Sequence, residues 1–322
     1  MSKLPIKERS LMFAPMEGVT DIAYREVIND LYPQWDTYAT DFLRATSGAP
    51  YPTKHILKHY GKSAYQNLDV RNKTIYQVLT AQNALTEEIC QQINDLEFPW
   101  LDINLGCPSK TVVKRHGGSF ILSDTNLLKE IIGKVRQNFS GTLTAKIRVG
   151  FKDDALFSEN LKVIEDMGFD GIIIHARTRE QLYKGRANWD YIKQAVEQTN
   201  IPIIGNGDVW TTQDIDEIFK YTNCHSTMVA RGALKSPWLA KLWKANKKDS
   251  PANRIIEMKN YFDQLNLSYE EYGYPTTKIL KRFKGLSRYM FDDFEDAEHF
   301  KTMALRSLSL ETFFQVIASI KS

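Results

Sequence analysis

The feature that most constrains this chain is an alternation of short apolar, β-branched runs with longer segments of helical spacing. The runs occupy residues 11–14, 36–40, 74–79, 100–104, 142–148, 171–176, 201–205 and 226–230, eight in all. Most are too short and too uniformly apolar for half-exposed strands, so they predict parallel strands buried on both faces. Between them, Leu85, Ile89, Ile93 and Leu96 fall near helical spacing, as do Leu127, Leu128, Ile131, Ile132 and Val135. Residues 160–167 and 212–219 continue the pattern, with Thr212 read as an N-cap ahead of Ile215. Strands alternating with helices mean a parallel sheet, and eight units by about residue 245 predict an α/β TIM (β/α)8 barrel. An open doubly wound sheet is the alternative. No GxGxxG follows the first run, which argues against a Rossmann dinucleotide site.

Composition changes at residues 241–251 (KLWKANKKDSP), a polar, basic stretch ending in proline. Beyond it only helical patterns follow, over 254–272, 276–290, 297–307 and 310–320. The expected organisation is a barrel over 1–245 and a C-terminal all-helical domain over 246–322. The three cysteines, Cys90, Cys107 and Cys224, are scattered, with neither a disulfide framework nor a CxxC zinc pair; no metal site is expected. No segment approaches the roughly 20 apolar residues of a membrane helix, and the N-terminus lacks the apolar run of a signal peptide. A cytoplasmic protein without membrane association is expected, and a monomer.

Barrel active sites lie at the C-terminal ends of the strands, so the run ends are read in order. The first ends in Pro15-Met16-Glu17-Gly18, the third carries Gln77, and the fourth ends in Asp102-Ile-Asn104-Leu-Gly106-Cys107-Pro108. The fifth holds Lys146 and Arg148, the sixth ends in His175-Ala-Arg177, the seventh in Asn206-Gly207-Asp208, and the eighth in Ala230-Arg231-Gly232. Any one of these could merely finish a loop, since loops carry polar residues; their joint occurrence points to a site. Glycine turns after the last two strands, with Arg231, form a phosphate signal, because backbone N–H groups can approach phosphate oxygens there. Taken alone, GNGD could equally be a tight turn. Lys146 on a central strand is costly unless it meets an anion. Cys107, in a turn restricted by the following proline, is placed to donate a proton or attack as thiolate. Cys90 and Cys224 read as inert core residues.

The segments AP-M-EGVTD, DINLGCPSK, GGS, TAKIRVG, HARTR, IIGNGDV and ARGAL together resemble the tRNA-dihydrouridine synthase family in order and spacing, over essentially the whole chain. Within it, TDFLR around Arg44, and Arg282-Phe-Lys284 followed by Tyr289, are most similar to the bacterial C-type enzymes, which act on uridine 16. The resemblance implies bound FMN, NADPH as reductant and tRNA as substrate. It implies FMN contacts from Pro15, Met16, Glu17, Gln77, Lys146, Asn206, Gly207, Asp208, Ala230 and Arg231, with His175 added as a further flavin contact. The catalytic cysteine falls on Cys107. Asn104 falls where the family positions the uridine, and Arg44, Arg282, Lys284, Tyr289 and Arg306 join it as tRNA-binding residues. Where the family usually has glycine this chain has Ala230, whose methyl group is expected to loosen the phosphate fit. The implied chemistry is flavin reduction by NADPH, then hydride transfer to C6 of the uracil with a proton from Cys107 to C5.

Other FMN barrels reduce free pyrimidines, and that is the alternative enzyme class; a non-catalytic RNA-binding barrel is a third reading. Two features favour RNA and catalysis. Lys278, Lys281, Arg282, Lys284 and Arg288 fall within eleven positions containing no acidic residue, beside barrel chemistry that a free pyrimidine would need no helical domain to use. A barrel that only bound RNA would keep these cations and lose Cys107 and Lys146.

Overall fold

The computed structural model describes residues 4–320. Nine parallel strands run β1 (Ser10–Phe13), β2 (Thr37–Ala39), β3 (Leu43–Arg44), β4 (Thr74–Leu79), β5 (Trp100–Leu105), β6 (Thr142–Arg148), β7 (Gly171–His175), β8 (Ile203–Asn206) and β9 (Ser226–Val229). β1 pairs with both β2 and β9, and β2 pairs onward with β4. The remaining strands pair in sequence order, closing an eight-stranded barrel. All eight predicted runs are barrel strands. β3 is a short addition alongside β4, carrying Arg44 opposite Leu79.

The barrel interior changes character along its axis. Met12, Ala39, Ile75, Trp100, Ile173, Ile204 and Met228 fill its lower part, with Leu4 packed against them. One layer higher the register sets Gln77 beside Asp102 and Asp102 beside Thr144. Next come Asn104 beside Lys146, and Arg148 beside His175 beside Asn206. Alternation of side chains along each strand thus turns a period-two sequence pattern into polar layers above an apolar plug.

Two details depart from the sequence reading. Thr211, not Thr212, caps the Thr212–Thr222 helix, in a capping box with Asp214. Between β3 and β4 the chain inserts the helices Thr53–Tyr60, Lys62–Gln66 and Leu68–Lys73. They are short and polar, too brief for a periodic signal.

Beyond the barrel come helices Pro251–Glu271, Thr276–Leu286, Ala297–Arg306 and Leu310–Ser319. Phe262, Phe283 and Phe313 pack together at their centre, with ring centroids 5.0–5.4 Å apart. The first helix lies against the barrel's Ile22–Leu31 helix, where Tyr261 meets Tyr24 edge-on and donates to its hydroxyl at 3.1 Å. Among the described residues no helix is long and apolar enough to cross a membrane.

Candidate active site

At the C-terminal strand ends a cavity of about 540 Å³ opens, within the usual range for small-molecule sites. Its walls bring together Pro15, Met16 and Glu17, then Asn104 and Cys107, Lys146, His175, Asn206–Asp208, Ala230 and Arg231, and Tyr289 from beyond the barrel. A larger cavity, of about 670 Å³, lies at the opposite barrel end around Arg9, Cys224 and His225. The polar layers described above do not face it.

Cys107 is 8% exposed at the cavity edge. Its carbonyl accepts from the Ser119 N–H at 3.2 Å and the Ser119 hydroxyl at 2.9 Å, so the GGS segment anchors the cysteine turn. Burial pushes the thiol pKa up, which keeps the sulfur protonated at neutral pH and suits a proton donor better than a thiolate nucleophile. Cys90 is fully buried in a helix.

Lys146 makes no ion pair within 4.0 Å among the described residues. Burial and the neighbouring Arg148 push its ammonium down to about 8, against a partial pull upward from Asp102. His175 is held well below its ordinary value by burial and by Arg148, Lys146, Arg177 and Arg231; the imidazole is neutral at pH 7. The cavity floor therefore holds Lys146 and Arg148 with no carboxylate in ion-pair contact and Asp102 only a partial counter-charge, an arrangement that favours an anionic occupant.

The turns after β8 and β9 are held by Asp208. It accepts from Arg177 at 2.6 Å, from Arg231 at 2.9 Å and from the Ala187 N–H at 2.7 Å. Arg231 lies between the rings of Tyr183 and Trp210, 5.0 and 4.9 Å from their centroids. Two glycines are required for this geometry. Gly207 has φ +128, and a Cβ there would sit 2.7 Å from that of Ala187. A Cβ on Gly232 would fall 2.1 Å from the Val209 carbonyl oxygen. Ala230 has φ −106, so its backbone conformation does not demand glycine.

Several sequence candidates lie elsewhere. Gln77 is fully buried beneath the cavity, its amide spent on Asp102 and Asn104. Arg44 sits on β3, outside the cavity wall, 3.8 Å from Glu17. Arg282 is turned inward: it donates to the Gly18 carbonyl at 2.9 Å, pairs with Asp21, and lies over the rings of Tyr269 and Tyr274. It ties the C-terminal helices to the turn that follows Glu17. Lys278, Lys281, Arg288 and Arg306 are exposed and Lys284 is half-buried.

The sequence reading assigned no role to Arg148, Tyr183 or Trp210. Arg148 donates to the carbonyls of Gly106, Thr178 and Leu182 at 2.9–3.0 Å, stitching the cysteine turn to the loop that carries Tyr183. Its inward position was legible, two residues after Lys146 on one strand. Tyr183 lies in a turn and Trp210 in an irregular stretch, where no periodicity marks them.

The strands close into a TIM barrel, and its thiol, its inward cations and its glycine-dependent turn all lie at the C-terminal strand ends, the face where such barrels carry their active sites. The family model described as dihydrouridine synthase (Dus) matches residues 12–315. The chain belongs to the dihydrouridine synthase family and is an oxidoreductase. It is 30% identical over 282 residues to the tRNA-dihydrouridine(16) synthase of Shewanella oneidensis, covering 86% of this chain and 89% of that one. The protein of the same name from Haemophilus influenzae is 28% identical over 292 residues, 89% and 92% of the two chains. The tRNA-dihydrouridine synthase B of Pasteurella multocida is 31% identical over 233 residues, 71% and 67% of the two.

Proposed function

We propose that this chain reduces a uridine of tRNA, at position 16 of the D-loop, to 5,6-dihydrouridine, using FMN held in the barrel mouth and NADPH as reductant, in the cytoplasm. The observation that carries this reading is the convergence of Cys107, Asn104 and Lys146 on one cavity that also receives Tyr289 from the C-terminal helices. Family membership supports the reaction, and the names of the relatives in Shewanella oneidensis and Haemophilus influenzae support the position.

The site fits an anionic flavin nucleotide. The Asn206–Asp208 and Ala230–Gly232 turns with Arg231 would hold its phosphate, and Lys146 with His175 would face the pyrimidine edge of its ring. Bound there, FMN supplies the hydride. Pro15, Met16 and Glu17 close one side of the cavity, Asn104 holds the uracil, and Cys107 donates a proton to the uracil C5. Residues 246–322 act as the RNA-holding domain. The target uridine has to be turned out of its stack to reach the cavity, at a cost of a few kcal/mol that interactions with phosphates offset.

The purified protein is expected to be yellow, with FMN released on denaturation. A folded, colourless protein that takes up no FMN on reconstitution overturns the reading.

For the RNA surface, Lys281 and Lys284 are the informative positions, because Arg282 is already paired within the protein. Alanine at both should weaken binding of unmodified tRNA. The slope of log affinity against log salt should fall by roughly 0.7–0.9 for each phosphate that a lysine no longer neutralises, with flavin content unchanged. Arg44→Ala should behave alike if tRNA is gripped from both sides. Slopes equal to wild type would mean that these cations form a solvated face only.

A further inference from the structure

Beneath the cavity runs a chain of buried hydrogen bonds whose direction is set by a carboxylate at one end and a backbone N–H at the other. The Trp100 indole N–H donates to the Thr144 hydroxyl at 3.1 Å, and that hydroxyl donates to Asp102 Oδ1 at 2.7 Å. From the other side Gln77 Nε2 donates to Asp102 Oδ2 at 2.7 Å, Asn104 Nδ2 donates to Gln77 Oε1 at 2.9 Å, and the Gly106 N–H donates to Asn104 Oδ1 at 3.1 Å. Trp100, Gln77, Asp102 and Thr144 are all at most 1% exposed; of the five side chains only that of Asn104 lines the cavity.

An ionised carboxylate has no hydrogen to donate. Gln77 must therefore turn its NH₂ toward Asp102 and its oxygen toward Asn104. Asn104 must in turn give one N–H to Gln77 and take the Gly106 N–H on its oxygen. Its second N–H makes no other hydrogen bond among the described residues. We propose that Asp102 is a positioning residue: acting through Gln77, and together with the Gly106 N–H on the Asn104 oxygen, it holds the amide of Asn104 so that the cavity receives a hydrogen-bond donor, which selects a carbonyl oxygen of the uracil ring. This rests on the reading of the cavity as the uridine site.

The same chain predicts what an amide at position 102 would do. The Thr144 hydroxyl already receives the Trp100 N–H and needs an acceptor for its own hydrogen. In Asp102→Asn the new oxygen is best kept facing Thr144, so the new NH₂ faces Gln77. Two NH₂ groups cannot hydrogen-bond each other, so Gln77 turns over and presents NH₂ to Asn104. Asn104 cannot turn with it, because its oxygen is held by the Gly106 N–H; its bond to Gln77 is lost and its amide is no longer held toward the substrate carbonyl. A donor no longer held toward that carbonyl should cost about 10–100-fold in rate.

The test compares Asp102→Asn with Thr144→Val at pH 8, measuring flavin content, melting temperature, and kcat/KM for unmodified tRNA per bound flavin. Asp102→Asn is isosteric and removes a buried charge, so it should melt no lower than wild type yet lose about 10–100-fold in kcat/KM. Thr144→Val should melt lower, having lost a bond to the same carboxylate, but keep kcat/KM within about threefold, because the carboxylate still dictates the Gln77 amide. Asp102→Asn with wild-type kcat/KM overturns the proposal. So does an activity loss in both variants that follows their melting temperatures, which is the result a purely structural role predicts. A wild-type protein that neither holds flavin nor modifies tRNA would instead overturn the functional reading itself.

Discussion

Replacing Cys107 with alanine is expected to slow uridine reduction by about 10²–10⁴-fold, the usual worth of a general acid, while NADPH-driven flavin reduction stays near wild type. The thiol lies at the cavity edge, its backbone anchored by Ser119, and its role falls only in the second half of the reaction. Stopped-flow bleaching of the flavin, followed by reoxidation with tRNA, separates the two halves; equal losses in both would contradict the role. Burial raises the thiol above its ordinary value of 9.0, so the donor is present throughout the neutral range. The tRNA half-reaction should therefore lose its Cys107-dependent rate on the alkaline side, as the thiol ionises, and that part of the alkaline decline should be missing in the alanine variant. Cys90→Ala and Cys224→Ala should alter neither half, since neither residue lines the cavity.

Replacing Lys146 with methionine should separate stability from activity. The ammonium is pushed from 10.5 down to about 8 by burial and by Arg148. An amine whose folded pKa lies below its unfolded one makes the unfolded chain bind more protons across that interval. Wild-type flavin-free stability should thus rise as pH climbs from about 8 toward 10.5. Below the lower value the full penalty of the buried charge applies. Methionine removes that penalty, so at pH 7 the flavin-free variant should be more stable by about 1–3 kcal/mol, partial solvent access holding it below the full conversion of the shift. Its stability should also be flatter between pH 8 and 10.5 than that of wild type. Activity should move the other way, by about 10²–10³-fold, because the variant lacks the cation facing the place where negative charge develops. Urea unfolding at several pH values, beside flavin retention and turnover, tests both halves. A variant that is less stable and still active would show that Lys146 is a rim lysine with a structural role only.

Much of this protein was legible in its sequence. Eight buried runs and their helical spacers determined the barrel, because the periods of strands and helices are local properties and a parallel strand buried on both faces must be apolar throughout. The same alternation placed Asn104, Lys146 and His175 inward at the mouth ends of their strands, and the glycine turns after β8 and β9 announced themselves by composition. What tertiary structure decided is which polar groups face one another across long sequence separations. Nothing local indicated that Gln77 is spent on Asp102 and Asn104, residues 25 and 27 positions away. Nor did the basic run 278–288 reveal that Arg282 is turned back, to bond the Gly18 carbonyl 264 positions earlier. A charge run specifies attraction but not its partner. A buried hydrogen bond is directional and satisfied by one geometry, so its partners are settled only when the strands take their register.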